Sequence, residues 1–195
     1  MKNRKTFCAL FSGKSRERIP NIAFHVMTVI MKLMDFFGNH SSKNFETLGL
    51  KPGQTVIDYG CGPARYIKKA SNAVGESGKV IAVDIHPLAI KKVKTKIEKY
   101  KLANVETVLG KGYHTPIAGE TADVIYALDM FHMIEQPKEF LLELSRLLKQ
   151  DGTIIIEDGH QSRSETVQKI KKSEVLNIVQ ETKFHVKCKK TIFST

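Results

Sequence analysis

The sequence predicts an α/β fold: a mostly parallel sheet with helices on both faces. Three observations predict it. Short β-branched runs alternate with longer stretches of helical periodicity. The runs are apolar through most of their length, as strands covered on both faces are. Glycine and Pro-Gly turns stand between them. The 195 residues, 42% hydrophobic, suit one globular domain.

Residues 1–18 are polar and basic and are expected to form a tail. Pro20 suits the first turn of a helix. Ile22, Val26, Val29, Ile30, Leu33, Phe36 and Phe37 then recur at helical spacing, which predicts an amphipathic helix over Asn21–Phe37 with Gly38 as its stop. A short helix follows at about Ser41–Leu48. From Lys51 the pattern changes. Pro52-Gly53 is a turn, Thr55–Tyr59 a strand and Gly60-Cys61-Gly62 a tight loop. Pro63 opens a helix to about Ala73. Lys79–Val83 is the second strand, and Pro87 opens a helix that turns Leu88, Ile90, Val93, Ile97 and Leu102 inward and its lysines to solvent. Val105–Leu109 and Asp123–Leu128 are the third and fourth strands. A helix over about Pro137–Lys149 stops at Gly152, and Thr153–Glu157 is the fifth strand. A polar helix, about Ser164–Lys172, precedes a hairpin of Leu176–Glu181 and His185–Lys190. Lys187, Lys189 and Lys190 are expected on an edge strand, where lysine discourages further pairing.

The formal net charge is +11, but it is unevenly placed. Residues 1–20 carry six basic and one acidic residue, and residues 163–195 carry eight basic and three acidic. The stretch between is nearly neutral, which argues against a uniformly basic nucleic-acid coat. Cys8, Cys61 and Cys188 are too few and too scattered for a disulfide framework and point to a reducing cytoplasm. The uncharged run Ile19–Met31 is shorter than the roughly 20 residues a spanning helix needs. No Cys-x-x-Cys or His-x-x-x-His pair occurs, so no metal site is expected.

The chemistry concentrates in the loop after the first strand. Glycines there let the chain turn sharply and let a ligand approach the backbone. The second strand ends on Asp84, 24 positions after Gly60, where a carboxylate can accept hydrogen bonds from both hydroxyls of a ribose. A dinucleotide site needs a third glycine at position 65 so that a helix N-terminus can face a pyrophosphate. Arg65 stands there. The pattern suits a nucleoside cofactor without phosphate.

With Asp58 to Gly62, Asp84, Asp123 to Pro137 and Gly152 to Glu157, the stretch from about Leu50 to Gly159 resembles class I S-adenosylmethionine-dependent methyltransferases, and most the small ubiquinone-biosynthesis-like or type 11 group. The resemblance implies a Rossmann-like, seven-stranded sheet with an antiparallel last strand. It implies one domain over 1–195: the tail, N-terminal helices over 19–49 and a cofactor-binding core over 50–195. Asp58, Gly60, Cys61 and Gly62 would hold the methionine part of the cofactor, Asp84 its ribose, and Ile85 would lie against the adenine. The product would be S-adenosylhomocysteine. Ala64 replaces the family's third glycine. Gly110-Lys111-Gly112 replaces a Gly-Asp-Ala whose acid reaches the adenine amino group. One histidine of a common His-His pair becomes Met133.

Ligands of open α/β sheets bind at the carboxyl ends of the strands. Asp129, after the fourth strand, is therefore a candidate to face the cofactor, although an Asp there also suits a cap for the turn at Met130–Met133. His132, Asp158 and His160 are the candidate bases; Glu157, Tyr113 and His114 are further candidates to line the site. Cys61 reads as a packing residue. The expected reaction is in-line methyl transfer to a small, partly apolar acceptor, with the N-terminal helix Asn21–Phe37 covering the substrate mouth and its apolar face, with His25 and Met27, helping to choose the acceptor. Two other readings stand beside it: a nucleic-acid or protein methyltransferase using the basic ends, and an inactive cofactor-binding scaffold.

Overall fold

A computed structural model describes residues 19–37 and 45–191. The chain divides into two units, Met1–Gly49 and Leu50–Thr195. In the first, helix α1 spans Asn21–Phe37, as predicted. The Pro20 carbonyl accepts from Phe24 N at 3.0 Å, which closes the first turn. Ile22, Val26, Val29 and Leu33 recur on one stripe and are exposed. The predicted tail, the Gly38 stop and the first half of the predicted helix at about Ser41–Leu48 lie outside the described residues. No helix among the described residues is long and apolar enough to cross a membrane.

The second unit is built on a seven-stranded sheet. In chain order it comprises β1 (Thr55–Tyr59), α2 (Ile67–Val74), β2 (Lys79–Asp84), α3 (Pro87–Tyr100), β3 (Val105–Leu109), β4 (Ala122–Ala127), a single 3-10 turn (Phe131–Met133), α4 (Pro137–Leu147), β5 (Leu148–Glu157), α5 (Arg163–Ser173), β6 (Leu176–Glu181) and β7 (His185–Lys190). The strand order is β3-β2-β1-β4-β5-β7-β6. The first five strands run parallel, and β7 is antiparallel to both β5 and β6.

Alternation along the strands explains why their residues are apolar on both sides. Ile57 and Tyr59 belong to one core with Ile81, Val83, Ile125, Phe140, Leu144 and Ile154. The intervening Val56, Val80, Ala82 and Tyr126 are equally buried on the opposite face of the pleat. Phe140 anchors the first face: its ring meets Tyr59, Tyr113 and Phe131 with centroids 5.4, 6.2 and 5.9 Å away.

Three expectations are corrected. The helix expected from Pro63 begins only at Ile67. Gly62 and Ala64 both take positive φ, 48° and 63°, which a right-handed helix cannot contain. Gly152 does not stop a helix. It lies within β5, where a Cβ would come within 2.6 Å of the Leu148 side chain and 3.1 Å of the Asp123 carbonyl. Finally, the lysine-bearing β7 is not the edge. It lies between β5 and β6, with Val186 and Cys188 fully buried, and β6 forms the edge with Asn177, Val179, Gln180 and Glu181 exposed. A hairpin signal says that two strands are neighbours; it does not say which of them joins the sheet.

His185 at the start of β7 is buried, and its Nε2 has no hydrogen-bond partner among the described residues. Burial, then the charges of Lys187 and Arg163, push its pKa down to about 4. The unfolded chain takes up this proton near pH 6.5 and the folded chain only near 4, so stability falls as pH drops through that window. Urea unfolding of His185→Gln should show less loss between pH 6.5 and 4 than wild type; parallel curves would refute this.

Candidate active site

The chain runs outward from β1 through β2 to β3, then returns to β4 on the other side of β1. This reversal opens a crevice beyond the carboxyl ends of β1 and β4. Four segments meet its rim: the loop after β1, Asp84 at the end of β2, Asp129 after β4, and Glu157 to His160 at and beyond the end of β5.

The loop after β1 is fastened to β2. Gly60 N and Cys61 N both donate to the Val83 carbonyl, at 2.8 and 3.0 Å. Asp84 then fixes the next turn: Oδ2 accepts from Gly62 N at 2.9 Å and Oδ1 from His86 N at 2.8 Å. Gly60 has φ +82°, and a Cβ there would stand 2.9 Å from Met130 Cγ, so Met130 fills the space beneath the turn. The backbone at Gly62 is open, its nearest atom to a built Cβ being 4.0 Å away. That opening is where a ligand can meet the main chain.

The carboxylates differ in what holds them. Asp58 is buried on β1 beside Tyr126 of β4. Burial, and then the neighbouring Asp84, push its pKa up to about 8, against the lowering influence of the nearby Tyr126 hydroxyl. Asp84 is also raised by burial, while the amides of His86 and Gly62 draw it back. Both retain oxygen lone pairs beyond these bonds. A cation arriving here stabilises both in their ionised forms. Ile85 is half-buried, and its Cγ2 lies 3.6 Å from the Cβ position of Gly110, so the two residues are neighbours beside Asp84. The Cys61 thiol is buried and its pKa is pushed up by that burial, which suits packing rather than nucleophilic chemistry.

Asp129 has φ +53° and does not cap the following 3-10 turn. Its pKa is raised by burial, against the positive influence of His160 and Arg65. The His132 and His160 rings meet edge to face with centroids 4.8 Å apart. Gly159 lets His132 lie against the main chain, since a Cβ there would strike its Nδ1. The structure thus brings Asp129, His132 and His160 together. It uses Asp158 differently: the carboxylate takes Arg163 Nε on both oxygens at 2.9 Å, and Arg163 continues to the Thr182 carbonyl at 2.7 Å. This pair pins α5 to the β6–β7 turn.

Tyr113 and His114 are likewise held in the scaffold. Tyr59 Oη donates to the Tyr113 carbonyl at 2.8 Å, and the Tyr113 hydroxyl accepts from Gln136 N at 3.1 Å. His114 Nδ1 lies 3.2 Å from Glu143, which also accepts from Thr115 and Arg146. One contribution has no sequence signal. Lys96 on α3 donates to the Ala64 carbonyl at 2.6 Å, bracing the glycine loop from outside. In sequence it is one of six lysines between positions 91 and 101.

A family profile described as "Methyltransferase domain" matches residues 50–192. An arsenite methyltransferase of Halobacterium salinarum is 31% identical over 109 residues, covering 56% of this chain and 28% of that protein. A demethylmenaquinone methyltransferase of Bacillus cereus is 28% identical over 129 residues, covering 65% of this chain and 54% of that protein. The chain therefore spans about half or less of the length of these curated relatives. Among solved structures, a SAM-dependent methyltransferase of Aquifex aeolicus superposes with a TM-score of 0.71 at 26% identity, covering 77% of this chain and 89% of that one.

Two outcomes follow from the geometry. Gly159→Ala combines a left-handed φ of +63° with a clash on His132. It should cost about 1–3 kcal/mol in unfolding experiments and shift the His132 imidazole resonances in NMR. An unshifted spectrum would contradict the packing. Asp58 favours the fold in its neutral form, fully so below pH 3.8 and progressively less as pH rises to about 8. Asp58→Asn should flatten the decline in stability that wild type shows over this range.

Proposed function

Because this chain belongs to the methyltransferase domain family, we propose that it binds S-adenosylmethionine in the crevice and transfers the methyl group to a small, partly apolar acceptor. The observation that carries this reading is Asp84. It ends β2, where a strand-end acid meets a ribose in this kind of fold, and each oxygen accepts one backbone amide, Gly62 or His86, and keeps a lone pair for a ribose hydroxyl. The open backbone at Gly62 receives the methionine part, and Asp58 and Asp84 supply negative charge near the cationic donor. Ile85 and Gly110 border the adenine.

The donor is activated by its own sulfonium, so the protein's work is alignment and exclusion of water. The acceptor atom forms a bond to the methyl carbon, the carbon–sulfur bond breaks, and its electron pair stays on sulfur as S-adenosylhomocysteine. Where the acceptor carries a proton, His132 and His160 are the candidates to receive it, and the contact between their rings beside Asp129 supports this. Asp158, paired to Arg163, positions α5. The names of two relatives, one acting on arsenite and one on demethylmenaquinone, support a small acceptor. The buried thiols of Cys61 and Cys188 fit a reducing cytoplasm.

Calorimetry with S-adenosylmethionine tests the reading. Wild type should bind, and Asp84→Ala should bind about 10- to 150-fold more weakly, the worth of a hydrogen bond to a charged group. A folded wild type that does not bind, or equal binding by both proteins, would overturn it. Labelled-donor assays on small acceptors then separate transfer from cofactor binding alone.

A further inference from the structure

Three potential metal ligands that no sequence spacing connects stand together at the rim of the crevice. Asp129 follows β4, His132 lies in the 3-10 turn and His160 follows β5. One carboxylate oxygen and one nitrogen from each imidazole all lie within 4.8 Å of one another. Their placement is built in. Asp129 holds a left-handed backbone conformation and leaves the 3-10 turn uncapped, so its carboxylate is not spent on that turn. Gly159 removes the side chain that would push His132 away. His160 is exposed, which opens the cluster to solvent.

We propose that Asp129, His132 and His160 bind one divalent first-row transition ion, with zinc as the simplest occupant. Two imidazoles and a carboxylate are the donor set of three-ligand zinc sites and suit iron and cobalt as well. Bonds of about 2.0–2.2 Å in a tetrahedral site place ligand atoms about 3.3–3.5 Å apart. The cluster reaches this by side-chain rotation, for which the exposed His160 has room.

Three protein ligands leave a coordination position open toward the crevice. It fits the ionisable hydroxyl or thiol of an acceptor. The ion lowers the acceptor's pKa, the proton leaves to solvent, and the resulting lone pair attacks the methyl carbon. The carbon–sulfur pair passes to sulfur, and the methylated product, having lost its negative charge, leaves the ion. This use rests on the methyltransferase reading; binding of the ion does not.

The test uses the full chain, tag-free and stripped of metal. Zinc binding is followed by calorimetry and cobalt binding by visible absorption, in wild type, His132→Ala, His160→Ala and Asp129→Asn. S-adenosylmethionine affinity and circular dichroism are measured on the same samples. Wild type should bind one ion per chain with a cobalt spectrum lacking thiolate charge-transfer bands. Each variant should bind more than about 10-fold more weakly, since even outer-shell partners of metal ligands are worth that much. His160→Ala, altered at an exposed position, should keep its fold. No ion bound at about 0.1 mM, or unchanged affinity in folded His160→Ala and His132→Ala, would overturn the site and leave the three groups as a proton-accepting cluster. Failure to bind S-adenosylmethionine while the ion still binds would instead overturn the functional reading.

Discussion

The crevice depends on the carboxylate of Asp84. It closes two backbone amides at once, Gly62 on the loop after β1 and His86 at the start of α3. A loop with three positive-φ residues, Gly60, Gly62 and Ala64, has few ladder bonds of its own. Its shape is therefore imposed from β2, by Asp84 and by the Val83 carbonyl that accepts both Gly60 N and Cys61 N. The buried Asp58 lies behind the same loop, and Met130 fills the space under Gly60. Each piece is placed by a strand end, so the sheet sets the geometry and the loop inherits it.

Much of this was legible in the sequence. The bounds of α1, β1, β3, β6 and β7 follow from apolar periodicity and turn residues, and the glycine loop with its spaced acid marks the crevice. The misses have physical causes. Pro63 signals a helix start, but the left-handed residues on either side of it delay the helix to Ile67. Gly152 reads as a stop, yet close approach of Leu148 is what requires it. Lys96 looks like its neighbours because only its distance from Ala64 distinguishes it. Asp129, His132 and His160 were each visible as candidates; their meeting was not, because it depends on β4 and β5 being adjacent.

The site also shows how polar residues divide between scaffold and crevice. Glu143 collects Thr115, Arg146 and His114, and thereby secures the segment after β3. Burial alone would raise its pKa, but Arg146 and Thr115 outweigh that and hold it low. Asp158 is paired with Arg163 through both of its oxygens. Among the described residues Asp58, Asp84 and Asp129 have no such bidentate partner, and all three are raised by burial. The carboxylates left costly are those that border the crevice, as expected where a cationic ligand completes the charge balance.

The position of β7 bears on how the chain reaches this state. The later strand of the hairpin is the one that joins β5 to β6. During synthesis β6 emerges first and finds no place on the sheet, because its neighbour has not been made. A chain interrupted after Phe184 would lose the footing of two strands rather than one, and would leave the flank of β5 as an open template for foreign strands. Completion of the sheet in this sense waits on β7, the later strand of the hairpin, which makes that strand a checkpoint on assembly.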